Sequence, residues 1–207
     1  MLKLLRTKRL NLEEFDQCEL DKIKDLFQYL QIAMPISLTT LQWDSSKCYG
    51  GISVQDHGSA IVANSSNYYD DTMVLGKRSV SRFRVELGEG LTSCSAYVGF
   101  ISSKDFVKDR SIVNKGWSMA FFNNGSNFSM QYNSRTHHFF ENVTCCILTA
   151  LHVEDRNEIT FKLKSKEGRL LLEYSFQGIQ PKKKLHPFVL FGRMSQPNDG
   201  LMLLRFQ

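Results

Sequence analysis

The side chains of this chain that could do chemistry are its five histidines, its five cysteines and a few paired acids. His57, His137, His138, His152 and His186 show neither an H-x-H nor an H-E-x-x-H spacing, the patterns that place two imidazoles on one metal. His137-His138, beside Phe139-Phe140, is the best metal or acid–base candidate. Consecutive strand residues face opposite ways, so this pair would share an ion only from a loop, and an ordinary loop is the expectation. Cys145-Cys146 has no Lys or Arg close in sequence to depress a thiol pKa; one thiol is expected in the core and the other facing out. Asp70-Asp71, and Asp105 with Asp109, lack the Asp/Asn/Gly loop spacing of hard-cation sites and read as solvated acids. No G-x-S-x-G elbow or phosphate-binding glycine loop occurs, and Gly88-Glu89-Gly90 reads as a turn between strands. The expectation is a non-enzymatic protein with no catalytic residue, no metal and no cofactor.

The elements that would position any site belong to a chain of 207 residues, 42% apolar and 23% charged. That is enough for one domain with a short appendage, and too apolar for wholesale disorder. No apolar run reaches the roughly 18 residues of a membrane span. Lys3, Arg6, Lys8 and Arg9 supply four of the five net positive charges, so the remainder is almost neutral. Lys182-Lys183-Lys184 is the other dense basic run. Nucleic-acid binding is not expected, because a reader of phosphate spreads Lys and Arg over a face or groove, and both runs read as solvated.

Cys18, Cys48, Cys94, Cys145 and Cys146 form an odd set without a C-x-x-C spacing, which suits free thiols in a reducing compartment. Sequons at Asn64, Asn124, Asn127 and Asn142 would suit a secreted glycoprotein. Met1–Leu10 has no apolar core or small-residue cleavage site, however, so an unglycosylated, intracellular (cytoplasmic) protein is expected.

Residues 1–36 form a basic start followed by an amphipathic helix. Asn11 with Glu14 suits a cap, Leu20, Ile23, Leu26, Phe27 and Leu30 form one stripe, and Met34-Pro35 stops it. The stripe would dock on the following domain or pair with a second chain. Residues 37–207 change to a period of two. Phe83, Val85 and Leu87 alternate with Arg82, Arg84 and Glu86. Ile159, Phe161 and Leu163 lead through Ser165-Lys166-Glu167-Gly168 into Leu170, Leu172, Tyr174 and Phe176, a clear hairpin with its glycine where a positive φ falls. Further strands are expected at Ile52–Val54, Ala60–Ala63, Ala96–Ile101, Trp117–Phe122, Phe128–Tyr132, Val143–Leu151, Pro187–Phe191 and Leu201–Phe206. Their spacing of roughly ten residues predicts a mainly β, antiparallel two-sheet sandwich.

The ordered set of these segments resembles the SPRY/B30.2 family, a concanavalin-like sandwich, over about residues 40–206. Leu41-Gln42-Trp43-Asp44 and Ile52-Ser53-Val54-Gln55-Asp56-His57-Gly58 are similar to its first strands. Tyr97-Val98-Gly99-Phe100-Ile101 is similar to its "vGv" strand, and Gly116-Trp117-Ser118-Met119 to its "GWgl" strand. Glu158–Tyr174 resembles its late hairpin, and His186-Pro187-Phe188-Val189-Leu190 its closing strand. Phe83 replaces the usual Trp of the strand Phe83–Leu87, and Ser165 stands where Asp is usual. The resemblance implies a bent sandwich whose rim loops bind short peptide segments of partner proteins, with no cofactor. It also places the strand of Trp117 near the peptide site.

Two aromatics in the polar loop Tyr68-Tyr69-Asp70-Asp71 supply anchors with a large area and little rotamer entropy. Tyr68, Tyr69, Asp70 and Trp117 are therefore the candidate partner-binding residues. The leading expectation is a protein–protein interaction module, an intracellular adaptor. The alternatives are a carbohydrate-binding lectin-type sandwich and a structural subunit attached to a larger assembly through the N-terminal helix.

Overall fold

A computed structural model describes residues 17–31, 41–63, 72–89, 95–108, 110–123, 128–132, 135–139, 145–178, 184–192 and 202–207. The chain divides into two units, residues 1–40 and 41–207. In the first, α1 spans Gln17–Tyr29. It closes by a bond from the Gln31 amide to the Gln28 carbonyl, with Gln31 left-handed at φ 53°. The expected stop at Met34-Pro35 lies outside the described residues.

The second unit is an antiparallel two-sheet sandwich, as the alternation predicts. In chain order the strands are β1 Trp43–Tyr49, β2 Ile52–Gln55, β3 Ala60–Ala63, β4 Thr72–Gly76, β5 Arg82–Leu87, β6 Ala96–Ser102 and β7 Trp117–Asn123. There follow β8 Phe128–Tyr132, β9 Arg135–Phe139, β10 Ile147–Val153, β11 Glu158–Lys164, β12 Leu170–Gln177, β13 Leu185–Phe191 and β14 Met202–Phe206. The first sheet has the order β1-β4-β13-β6-β7-β8-β9, and the second β12-β11-β10-β5-β14-β3-β2.

Alternation decides what each sheet buries. On β5, Phe83, Val85 and Leu87 face the core while Arg82 and Arg84 are exposed. Leu148 and Ala150 of β10 and Ile159, Phe161 and Leu163 of β11 extend the same inner layer. The outer face of this sheet is charged and laced across strands, with Lys162 Nζ 2.8 Å from Glu173 Oε1 and an ion pair between Arg205 and Asp56.

The central strands β4, β13 and β6 of the first sheet are buried on both faces. Val74, Val98, Phe100, Met119, Val189 and Phe191 meet the second sheet. On the outer face Met73, Leu75, Ile101, Phe188 and Leu190 form a second cluster with Ile112, against which Phe106 and Val113 of the β6–β7 connection pack. Four rings tie the sheets together. Trp43 stacks on Phe206 at 4.1 Å between centroids, Phe206 meets Phe83 at 6.5 Å, and Phe83 meets Phe100 edge-on at 4.8 Å.

The β11–β12 hairpin turns as its sequence predicts. Gly168, at φ +88°, donates its amide to the Ser165 carbonyl at 2.9 Å. Three expectations are corrected. His137-His138 sits in β9, a strand and not a loop, which removes the arrangement under which the two would share an ion. β10 begins at Ile147, because Cys145, which the expected strand included, is left-handed at φ 65°; Val143 and Thr144 lie outside the described residues. β4 carries no alternating signature and completes the first sheet.

Gly99 of β6 shows how closely β6 and β7 approach, since a Cβ there would lie 1.9 Å from the Trp117 carbonyl oxygen. Only backbone movement relieves that overlap. Gly99→Ala is therefore expected to cost about 3 kcal/mol, measured as a lowered urea midpoint with an unchanged slope. An unshifted midpoint would contradict this packing.

Candidate functional site

The ladder register divides the strand ends into two rims. Trp117 pairs with Phe100, Phe100 pairs with Pro187, and Pro187 lies against Gly76 at the end of β4. Trp117 thus stands level with Gly76. Thr72, at the other end of β4, is level with Phe191, Ala96 and Phe121. Tyr68, Tyr69 and Asp70 themselves lie outside the described residues. Ala63 and Thr72, which bracket their loop, belong to the rim opposite Trp117.

The Trp117 rim is built over the aromatic seam. Phe83 pairs with Ala150 of β10 and touches Phe100, the partner of Trp117. Trp117 is half-buried, with its ring packed against the inter-sheet core, so one surface is held and the other is open. The first sheet presents exposed lysines from consecutive strand ends: Lys77 after β4, Lys184 before β13, Lys104 after β6 and Lys115 before β7. The pairing of Leu185 with Ser102 sets Lys184 beside the β6 end. Asp105 stands next to Lys104, and its amide bonds the Ser102 carbonyl at 2.9 Å.

His186 lies on this rim. Its Nδ1 is 2.9 Å from the Gly76 carbonyl oxygen; a carbonyl only accepts, so Nδ1 carries the proton and Nε2 is the free acceptor of the neutral ring. Burial pushes its pKa down. The Gly76 bond and Asp44 oppose the shift, while Lys47 and Lys184 reinforce it.

The second sheet closes the rim with the turn Glu154–Arg156, after which Asn157 is left-handed at φ 51°. Glu154, Asp155 and Arg156 are exposed. Glu158 is held below the usual carboxylate range by hydrogen bonds, first from Ser175, then from Thr160 and Gln177. His152 on β10 is 5% exposed, and its Nε2 has no hydrogen-bond partner among the described residues; the same holds for Asn157 Oδ1. A buried polar atom left unpaired costs the desolvation it is not repaid for; Trp43 Nε1 and Ser165 Oγ are likewise without a partner among the described residues.

Sequence reasoning found Trp117 and missed the rest of this rim. Lys77, Lys104, Lys115 and Lys184 are far apart in sequence, and only the strand order gathers them. The alternation of β10 would have turned His152 inward with Leu148 and Ala150, which was a usable signal.

The described thiols are structural. Cys48, Cys145 and Cys146 are free, with Cys146 buried and Cys145 half-buried. Burial raises Cys48 to about 11, which keeps its thiol protonated and donating to the Ile52 carbonyl at 3.5 Å. Among the described residues no group of three or more His, Cys, Asp or Glu side chains is arranged to hold a metal. No described helix is long and apolar enough to cross a membrane.

A solved structure, described as the crystal structure of the TRIM65 PSpry domain, superposes with a TM-score of 0.55. It covers 81% of this chain and 89% of its own, at 12% sequence identity. The fold is SPRY-like. The likeness carries the fold alone, since at this identity a shared architecture leaves the ligand unassigned. No family model matches the chain, and no curated protein matches it.

The SPRY-like core buries two histidines whose pKa values lie below their usual 6.5, His152 by burial with Glu154 opposing, and His186 as above. The unfolded chain therefore binds protons first as pH falls. Stability from these groups is complete above 6.5 and declines as pH drops through their folded values. Urea unfolding between pH 7.5 and 5.5 is expected to show stability falling with pH, with a shallower fall in His152→Leu and in His186→Asn. Equal slopes in all three proteins would contradict the burial of these rings.

Proposed function

We propose that this chain is a non-enzymatic protein-interaction module whose Trp117 rim reads a peptide segment of a partner. The observation that carries the reading is the composition of that rim. A half-buried tryptophan fixed by the core stands among exposed lysines, on the same rim as two buried polar atoms without partners. Interfaces concentrate their energy in such anchored aromatics, while charges around them select and orient the partner. The SPRY-like fold supports the same reading by analogy only. The free thiols suit a reducing compartment, where we place the protein. Tyr68, Tyr69 and Asp70 remain a separate candidate, since their loop is bracketed at the other rim.

Affinity capture from lysate tests both candidates, using the full chain as wild type, as Trp117→Ala and as Tyr68→Ala/Tyr69→Ala, each checked for a cooperative melt. Trp117→Ala is expected to weaken the captured partner by about 2 kcal/mol, roughly thirty-fold in Kd. Loss only in the tyrosine variant would move the site to the opposite rim. Retention of glycans, with no protein, would replace this reading by a lectin-type one.

A further inference from the structure

Three exposed lysines on neighbouring strand ends create a local field that the nearly neutral sandwich sequence conceals. Lys184, Lys104 and Lys115 precede or follow β13, β6 and β7, which are adjacent in the sheet. Two ion pairs, Lys162 with Glu173 and Arg205 with Asp56, lie on the other sheet. Lys47 and Lys184 both act on His186, which places them around one patch; Asp44 and Asp105 are the acids beside it. Across the rim the second sheet carries Glu154 and Asp155 with Arg156. The rim is therefore basic on the first sheet, while on the second Glu154 and Asp155 stand beside Arg156, with Arg82 at the same end. β7 and β10 lie on the same side of the aromatic seam, so Trp117 and His152 occupy the zone between the two arcs.

We propose that this rim docks an acidic, extended peptide segment of a partner protein, with an apolar residue on Trp117 and its carboxylates on Lys104, Lys115 and Lys184. The proposal rests on the peptide-reading assignment above and narrows it to one charge class and one orientation. Glu154 and Asp155 repel the acidic end from the second sheet and so fix which way the segment lies. Exposed lysine–carboxylate pairs are individually weak and screened by salt, so the arc selects the class of ligand while Trp117 holds it.

The test is panning of a phage-displayed random dodecapeptide library on the full chain, followed by titration of a synthetic consensus peptide. Selected inserts are expected to be enriched in Asp and Glu around an apolar residue. The consensus is expected to bind Lys104→Glu/Lys115→Glu/Lys184→Glu roughly 10- to 100-fold more weakly than wild type, the summed effect of three exposed charges. Lys166→Glu, on the hairpin turn at the far rim, is expected to leave it unchanged. If the triple reversal fails to melt cooperatively, Lys→Gln at the same positions gives a smaller loss of the same sign. Inserts without acidic enrichment that are still lost in Trp117→Ala would overturn the acidic class and leave peptide reading standing. No enrichment by the wild-type chain would overturn both.

Discussion

The stack of Trp43 on Phe206, continued through Phe83 to Phe100, fixes the separation of the two sheets at the end where Trp117 stands. Offset and edge-on rings hold a definite spacing, because the quadrupoles that favour these arrangements fall away when the rings shift. Phe100 and Trp117 are cross-strand partners, so the seam locates the rim tryptophan one strand away. Gly99, under the Trp117 carbonyl, removes the side chain that would otherwise push β6 and β7 apart. The rim inherits its geometry from this buried set. A change of ring volume at Phe83 would be felt at Trp117 without touching it.

The two sheets use their outer faces differently, and that difference leaves the strand ends as the place for recognition. Phe106, Ile112 and Val113 cover the outer side of β4, β13 and β6, so that face is interior. The second sheet's outer face answers its own charges across strands, as Lys162 and Glu173 do. At the Trp117 rim the pattern breaks. Lysines gather on one sheet, acids stand on the other, and buried polar atoms remain unanswered.

Strands with one wet face were legible, and strands with two dry faces were not. β5 and β11 alternate because Arg82, Arg84 and Lys162 must reach water while Phe83 and Phe161 must leave it; β12 departs from the expected face, since a register shift opposite Leu163–Lys164 leaves Leu170 exposed while Leu171 and Leu172 pack on the core. β4, Thr72-Met73-Val74-Leu75-Gly76, is buried at every position, so no period of two survives to be read. β9 was hidden for another reason, since Arg135-Thr136-His137-His138-Phe139 is polar and suggests a loop. The start of β10 was misplaced because its boundary is set by one left-handed residue, Cys145, for which a cysteine gives no warning. Trp117 was singled out as a candidate through the resemblance of its strand. The lysine arc was not, because its members are joined by strand order, which local sequence does not encode.

The acidic-peptide rim proposed on this SPRY-like scaffold would separate what sets the fold from what sets the ligand. The seam and the alternating core require only apolar volume in the right layers, a demand that many sequences meet, consistent with a TM-score of 0.55 at 12% identity. The lysines face solvent at strand ends and contribute little to folding, so their identity answers to whatever they meet. On the proposed reading their field would act at a distance and raise the rate of encounter, while the tryptophan would act only in contact and set how long a partner stays. One rim would then divide recognition into a long-range step and a short-range step, and each could change without disturbing the sandwich beneath.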